Sequence, residues 1–324
     1  MEKLSPLPGR TGIGKEETKA NAMAGRQGVD APASESKLID SFKMHVATIE
    51  SADLEQLHAL SVSVGWPLRS EDLQFLRECG RGYVARDDIG RLTGSAMWFP
   101  HGDDFATIGM VITSPRLQSN GTARWLMEHV LRDCLGRNLR LNATRASRRL
   151  YHSLDFKPMR TIYQCQGIVR PADSTTTTEQ PPVRRLEGED LVAVAELDAG
   201  AFGVSRAALI GKLFAQSVGY GLFRGDRLQA FALCRPFGRG HVVGPVVADS
   251  NADAIAVIRP HVAAKENQFL RLDTSIETGL FATFLSQSGL AVFDTVLAMS
   301  RPGKGRADVV PGPNLYGLAS HALG

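Results

Sequence analysis

A mixed α/β chain (α+β in its sheet order), built as two tandem halves, is the fold class the sequence predicts, and three observations carry the prediction. Short apolar runs of strand length alternate with amphipathic runs of helix length through most of the 324 residues. The order strand, two helices, three strands, helix, strand, helix, strand occurs on each side of a Pro/Ser/Thr-rich break, PADSTTTTEQPP at 171–182. A chain of this length divides naturally into two domains, each able to bury its own core. The repeat is one of element order and not of residue identity. The expected organisation is a disordered tail at 1–42, a first domain at 43–170, a linker at 171–182, a second domain at 183–303 and a C-terminal tail at 304–324.

The first 40 or so residues are rich in Gly, Ala, Ser, Lys and Glu and hold few large apolar groups, too few to offset the entropy of ordering. Gly9-x-x-x-x-Gly14-Lys15 resembles the start of a phosphate-binding loop. Glu16 stands where a Ser or Thr should hold magnesium, and no apolar strand precedes it, so it is set aside as chance. HVATIE reads as a strand and SADLEQLHALSVSVGW as a helix that Ser51 could cap. SEDLQFLREC is a second helix. GRGYVARDD and RLTGSAMWFP are paired strands, and the turn HGDD leads to the strand ATIGMVITS. LRLNAT, the helix ASRRLYHSL and the strand RTIYQCQGIV close the half. In the second half VRRLEG is a strand, DLVAVAELDAGAFG and SRAALIGKLFAQS are helices, and GYGLFRGD, RLQAFALCRPF and HVVGPVVA are strands. NADAIAVIRPHVAAKE is a helix interrupted or ended by Pro260. FLRLDTSI, LFATFLSQSGL and DTVLAMSRP complete the set.

A formal charge of +3 is too small to suggest nucleic acid or an anionic membrane as partner. No run approaches the roughly 18 apolar residues a membrane span needs, and the N-terminus lacks the apolar core of a secretory signal. Cys79, Cys134, Cys165 and Cys234 share no metal-ligand spacing. They read as reduced, mostly buried thiols of a cytoplasmic protein without a metal.

Residues 114–131, SPRLQSNGTARWLMEHVL, pass from a proline turn through a polar glycine loop into an amphipathic helix. Ala123, Leu126, Met127, Val130, Leu131, Cys134 and Leu135 fall on one face, and Glu128 to Arg132 is a favourable spacing of four. The first N–H groups of a helix lack internal partners and sit at the positive end of its dipole. With Gly121 allowing close approach and Ala123 keeping the first turn open, the loop is an anion cradle suited to a diphosphate. A plain strand-to-helix turn is the alternative on the glycine alone.

Pro115-x-x-Gln118-x-x-Gly121-x-Ala123, between an apolar strand and a helix, resembles the acyl-CoA-binding motif of the GNAT superfamily of N-acetyltransferases. Leu150-Tyr151-His152-Ser153-Leu154-Asp155-Phe156 resembles its second signature, a tyrosine five residues before a phenylalanine. Asp155 stands where the family usually has glycine. Thr144 occupies the place of a common asparagine, and Asn142 lies two residues earlier. Asp198-Ala-Gly-Ala-Phe-Gly, Arg206 and Gly244-Pro-Val-Val-Ala resemble the degenerate acetyltransferase-like domain that follows such a module in some bacterial tandem members.

The resemblance implies two tandem GNAT-like domains with splayed central strands that leave a slot for the pantetheine arm of acetyl-CoA, the acyl-donor cosubstrate. Main-chain groups of Val111, Ile112 and Thr113 would pair with that arm. Amides of Gln118, Ser119, Asn120, Gly121, Thr122 and Ala123 would take the pyrophosphate, with Arg116 and Arg124 nearby. Tyr151 would be the acid that protonates the departing thiolate; its other reading is a packed core aromatic. No base is visible. His58, Glu71, His101, Asp103 and Asp104 read as ordinary polar residues, and a water chain serves as well. Trp66 and Trp98 could line the acceptor pocket, or simply pack.

In the second half the matching segment, VVADSNADAIAV, has no glycine, and Asp249 and Asp253 would repel a phosphate. Leu285 falls where the tyrosine should be. That half is expected to shape the cleft or the assembly, with His241 and Asp273 as satisfied interior polar groups. The expected function is an acyl-CoA-dependent N-acyltransferase acting on a small amine-bearing metabolite by direct attack in a ternary complex. The alternative is a noncatalytic acyl-CoA-responsive binding protein. A small-molecule amine is the expected partner, with a homodimer as a candidate assembly.

Overall fold

The computed structural model of the chain describes residues 35–39, 42–170, 182–303 and 314–324. Most of the expected N-terminal tail, the loop-like Gly9–Lys15 stretch and all of the linker but Pro182 lie outside the described residues. The described order begins within the segment assigned to that tail: β1 (Ser36–Ile39) pairs antiparallel with β2 (Phe42–Thr48).

The first half continues with α1 (Leu54–Ser63), α2 (Ser70–Cys79), β3 (Arg81–Arg86), β4 (Leu92–His101), β5 (Phe105–Thr113), α3 (Thr122–Asp133), β6 (Asn138–Ala143), α4 (Arg148–His152) and β7 (Lys157–Ile168). The second half holds β8 (Val183–Arg185), α5 (Leu191–Phe202), α6 (Ala207–Ala215), β9 (Val218–Arg224), β10 (Arg227–Phe237), β11 (Gly240–Ala248), α7 (Asn251–Ala264), β12 (Phe269–Thr274), α8 (Leu280–Gln287) and β13 (Ala291–Arg301). A last strand, β14 (Asn314–Gly317), lies in the segment read as a C-terminal tail.

Three local readings are corrected. Ser51 does not cap α1, because Ile49–Ser51 forms its own 3-10 turn, Ser51 Oγ donates to the Thr48 carbonyl, and Asp53 is the first cap residue. Pro260 does not break α7, which runs through it to Ala264, wedged against β9, β10, β11 and α8. Packing on several elements outweighs the one main-chain bond that proline removes. Leu135 leaves the apolar face of α3, since the helix ends at Asp133, and is 84% exposed; Trp125 and His129 are buried instead.

The strands form one mixed sheet in the order β1-β2-β3-β4-β5-β6-β13-β7-β12-β11-β10-β9-β8, with β14 paired to β11. The final strands of the two halves have changed places. β13 pairs with β6, Leu297 opposite Ala143, while β7 pairs with β12, Arg271 opposite Gln166. The two also pair with each other along most of their length. The ladder therefore runs unbroken across the two halves, which form one compact unit from Ser34 to Gly324.

Each half buries one face of its sheet under its own helices. Leu126, Met127 and Val130 of α3 cover the first half with Tyr151 and Phe156, and Val257, Ile258 and Phe281 cover the second. On the opposite face α1, α2, α5 and α6 share a single core, in which Leu57, Leu73 and Leu76 join Ile210, Leu213 and Phe231. All four cysteines are thiols, three of them buried. Among the described residues no helix is long and apolar enough to cross a membrane.

Candidate active site

β5 and β6 are parallel neighbours only from Phe105–Ile108 against Asn138–Leu141. Beyond that point they part, so β5 from Gly109 to Thr113 keeps its ladder to β4 while no described strand pairs with its other edge. The divergence starts at a bulge, where the register with β4 shifts between Ser95 and Met97 and Met110 takes φ +53°. Such a backbone is strained for a long side chain. Ser95 Oγ holds it by donating to the Met110 carbonyl at 2.7 Å. Among the described residues no strand pairs with that edge of β5 at Val111, Ile112 and Thr113, and the Thr113 carbonyl accepts from the Gln118 side-chain amide at 3.4 Å.

After β5 the chain makes a short 3-10 turn at Pro115–Leu117 and reaches α3 through two left-handed residues, Ser119 at φ +71° and Gly121 at φ +92°. Gly121 is the residue before the first turn of α3, and a Cβ built on it meets nothing within 4 Å: its requirement is the backbone conformation, and the space beside it is open. Among the described residues no acceptor takes the main-chain N–H of Gln118, Ser119, Gly121, Thr122 or Ala123. The first bond of the helix, Trp125 N–H to the Gly121 carbonyl, begins beyond them. Thr122 Oγ1, buried in the same turn, also lacks a partner. Amides left without internal partners at the positive end of a helix are chemically suited to an anion. Arg124 donates to Ser153 Oγ at 2.6 Å, which ties α3 to the end of α4, while Arg116 is exposed beside the turn.

Behind the open edge of β5 lies a cavity of about 300 Å³. The first half contributes Met110, Val111, Asn142, Thr144, Ser147 and Tyr151, together with the α1–α2 loop at Trp66 and Pro67. Gln164 and Gln166 of β7, Arg271 of β12, Asp294 of β13 and the β10–β11 turn at Arg239 form the opposite wall. Gly238 N–H donates to the buried Asp72 carboxylate at 2.9 Å, which docks that turn on the start of α2.

Tyr151 is 4% exposed, packed edge-on to Phe156. Burial pushes its phenol well above the usual range, with a side-chain hydrogen bond to Ser147 acting the other way, so it keeps its proton at neutral pH. Asp155 has φ +66°, the left-handed conformation that glycine adopts without strain.

Tyr151, Val111 and Trp66 are thus brought together at one cavity. Trp98 is not: it is 4% exposed within the core beneath α3, with the Arg137 guanidinium 5.4 Å from its ring centroid. It sits on the helix-covered face of β4, and its role as pocket wall is withdrawn. None of the carboxylates or histidines considered as a base lines the cavity either. His101 is buried against Phe105 and Phe202, and His58 Nδ1 lies 2.6 Å from the Leu68 carbonyl.

The cavity's last wall was missed in the sequence. Residues 318–324 follow β14 and lie beside the gap between β5 and β6: the Leu318 N–H donates to the Asp273 carbonyl, and the Asn142 amide donates to the His321 carbonyl at 2.8 Å. Ala322 lies against Gly109, where any side chain would meet it, since a Cβ there would sit 2.5 Å from that of Ala322. Only the bare length of the tail, with no periodic apolar pattern, was visible beforehand.

The same segment answers for the second half. β11 and β12 pair only at His241–Val242 against Leu270–Arg271 before parting. β14 lies along β11 beyond that point, Val246 opposite Gly317, and Leu318 crosses Gly244 so closely that a Cβ would strike its carbonyl. The slot between these strands is filled by the chain itself. At the mouth of α7, Ser250 Oγ accepts from Asp253 N–H, and the Asp253 carboxylate pairs with Arg224 at 2.8 Å. Leu285 is 1% exposed in the core. Asp198 and Arg206 form a fully buried pair.

Comparison with known proteins places this geometry. Residues 51–156 match the model of the acetyltransferase (GNAT) family and residues 194–309 that of an acetyltransferase (GNAT) domain. No curated protein matches the chain. A putative acetyltransferase from Pyrococcus horikoshii superposes with a TM-score of 0.68 at 17% identity, over 87% of this chain and 96% of its own. A GCN5-related N-acetyltransferase from Sphaerobacter thermophilus gives 0.56 at 14%, over 86% and 99%. A tandem GNAT protein from the clavulanic acid biosynthesis pathway gives 0.54 at 12%, over 82% and 100%. At such identities the likeness is one of fold. With a GNAT match in each half, the chain belongs to the GNAT acetyltransferases as a tandem member.

Proposed function

We propose that the first half is an acyl-CoA-dependent N-acyltransferase, with acetyl-CoA as donor and a small amine-bearing metabolite as acceptor. The observation that carries the reading is the succession of a β5 edge at Val111–Thr113 that no described strand pairs, a loop whose Gln118, Ser119, Gly121, Thr122 and Ala123 amides meet no acceptor among the described residues, and a protonated Tyr151 that lines one cavity with Val111. The residues present fit the cosubstrate. Main-chain groups of β5 can pair with the amides of a pantetheine arm as a neighbouring strand would. The N–H groups of Ser119, Gly121, Thr122 and Ala123 can hold a pyrophosphate at the positive end of α3.

In the proposed reaction a neutral amine, held in the cavity, attacks the thioester carbonyl carbon. Collapse of the adduct breaks the carbon–sulfur bond, and Tyr151 gives its proton to the departing sulfur. A volume of about 300 Å³ stands at the small end of ligand pockets, which favours a metabolite over a folded protein as acceptor. The second half supplies a wall of the acceptor site and no second acyl-CoA site, in keeping with the β14 plug. A thiol-release assay with acetyl-CoA across a library of small amines tests the reading. Amine-dependent release of free CoA is expected; CoA binding without thiol release above background would refute it.

A further inference from the structure

If the cavity is the acyl-transfer site, it still lacks a group to take the proton from the attacking nitrogen. Among the described residues that line it, Arg239 and Arg271 are cations and Tyr151 holds its proton. Two lining residues with a basic side-chain atom remain, Asp294 and His321. Asp294 is exposed, and its carboxylate accepts from the Thr295 N–H. His321 is set differently.

His321 is fixed by bonds that do not involve its own side chain. The Ala319 carbonyl accepts from Arg235 at 2.9 Å, the His321 carbonyl from Asn142 at 2.8 Å, and the Leu323 carbonyl from Arg206 at 3.0 Å. His321 lines the cavity shared with Tyr151 and Met110. Nε2 is buried, has no hydrogen-bond partner, and lies 3.5 Å from Oδ1 of Asp273. Asp273 is wholly buried and is braced by Arg271, which donates to both of its oxygens.

We propose that His321, oriented by Asp273, is the general base of the acyl transfer, with Nδ1 as the accepting nitrogen. This rests on the acyltransferase reading above. A carboxylate beside Nε2 keeps the proton on that nitrogen and leaves the Nδ1 lone pair for the substrate. The amine lone pair forms the carbon–nitrogen bond, and the carbonyl π pair moves to oxygen. Nδ1 takes the proton from the positively charged nitrogen of the adduct. The oxyanion's pair then re-forms the carbonyl as the carbon–sulfur bond breaks with its pair on sulfur, which receives the Tyr151 proton. The imidazolium's proton returns to the phenolate through solvent, so amine and acyl-CoA become amide and free thiol.

The charged groups around the imidazole are Asp273 and Arg271 of β12 and Asp294 of β13, with Arg235 of β10 acting on Asp273. Burial pushes His321 down to about 4, Asp273 opposing and Arg271 reinforcing the fall. The ring is therefore neutral, and able to accept, throughout the neutral range.

The test uses the full chain with acetyl-CoA and the best amine from the thiol-release screen. His321→Gln should lower kcat by about 100-fold or more, leave CoA affinity within about threefold, and regain turnover with added imidazole. Asp273→Asn should move the acid limb of the kcat profile to lower pH, because removing the carboxylate makes the ring less basic. A His321→Gln enzyme with kcat within threefold of the parent overturns the proposal. So does joint loss of turnover and CoA binding without imidazole rescue, which would make His321 a structural residue. If the parent chain binds CoA but acylates no amine, the acyltransferase reading fails first and takes this one with it.

Discussion

Replacing Arg206 by methionine removes a guanidinium that is 2% exposed and joins three parts of the fold. Nε and Nη2 donate to the two oxygens of Asp198 at 2.7 and 2.9 Å, and Nη1 donates to the Leu323 and Gly324 carbonyls at 3.0 and 2.7 Å. The plane lies 4.0 Å above the Phe202 ring. Without it, the Asp198 carboxylate is left at 0% exposure with no counter-charge. Breaking one side of a buried pair costs about 3–5 kcal/mol. Two charge-assisted bonds to carbonyls go with it, which sets the expectation near the top of that span. For a chain this long the loss corresponds to roughly 7–8 °C in Tm. The companion variant Asp198→Leu/Arg206→Met leaves no bare charge and should recover about 2 kcal/mol of the loss. Thermal and urea unfolding of parent, single and double variants measure both. An Arg206→Met chain within about 1 kcal/mol of the parent, or a double variant less stable than the single, would refute the reasoning.

Other expectations follow from the same geometry. Gly121→Val forces a branched residue into φ +92° and puts a side chain into the open mouth of α3; CoA affinity should fall at least tenfold in equilibrium binding. Tyr151→Phe should lower turnover in the thiol-release assay while CoA affinity stays nearly constant; a joint fall would make Tyr151 a packing residue. Gly244→Ala should destabilise the fold in urea titrations by about 2 kcal/mol or more, because its methyl would meet the Leu318 carbonyl. His101 is buried, and desolvation lowers it to about 3, the Arg206 and Arg140 charges adding to the fall. Its folded value thus lies below the unfolded one, so its contribution is present above about pH 6.5 and is lost as pH falls toward 3. Urea titrations should show His101→Leu losing roughly 3 kcal/mol less stability than the parent between pH 6.5 and 4.

The parts of the fold that depend on near neighbours in the chain were legible. The 3.6-residue spacing of Leu126, Met127 and Val130 marked α3 and its buried face, and the glycine before it marked a turn, which the structure gives as left-handed. The strand exchange was not legible. RTIYQCQGIV and DTVLAMSRP are apolar enough to be strands, but pairing partners more than a hundred residues apart leave no local trace. The tail was misjudged for a related reason: NLYGLASHALG has no periodic stripe, and its order comes from carbonyls taken by Arg235, Asn142 and Arg206 of distant elements. Trp98 shows the converse. An aromatic residue on a strand faces either side, and the side is set by register, which placed it under α3.

Isothermal titration of the intact chain with CoA tests the central claim most directly, because one half is argued to offer open amides and the other to hold its own strand in the equivalent slot. One molecule bound per chain, with the heat abolished by Gly121→Val, is the predicted result. No heat at millimolar CoA, or two equivalents bound per chain, would contradict it.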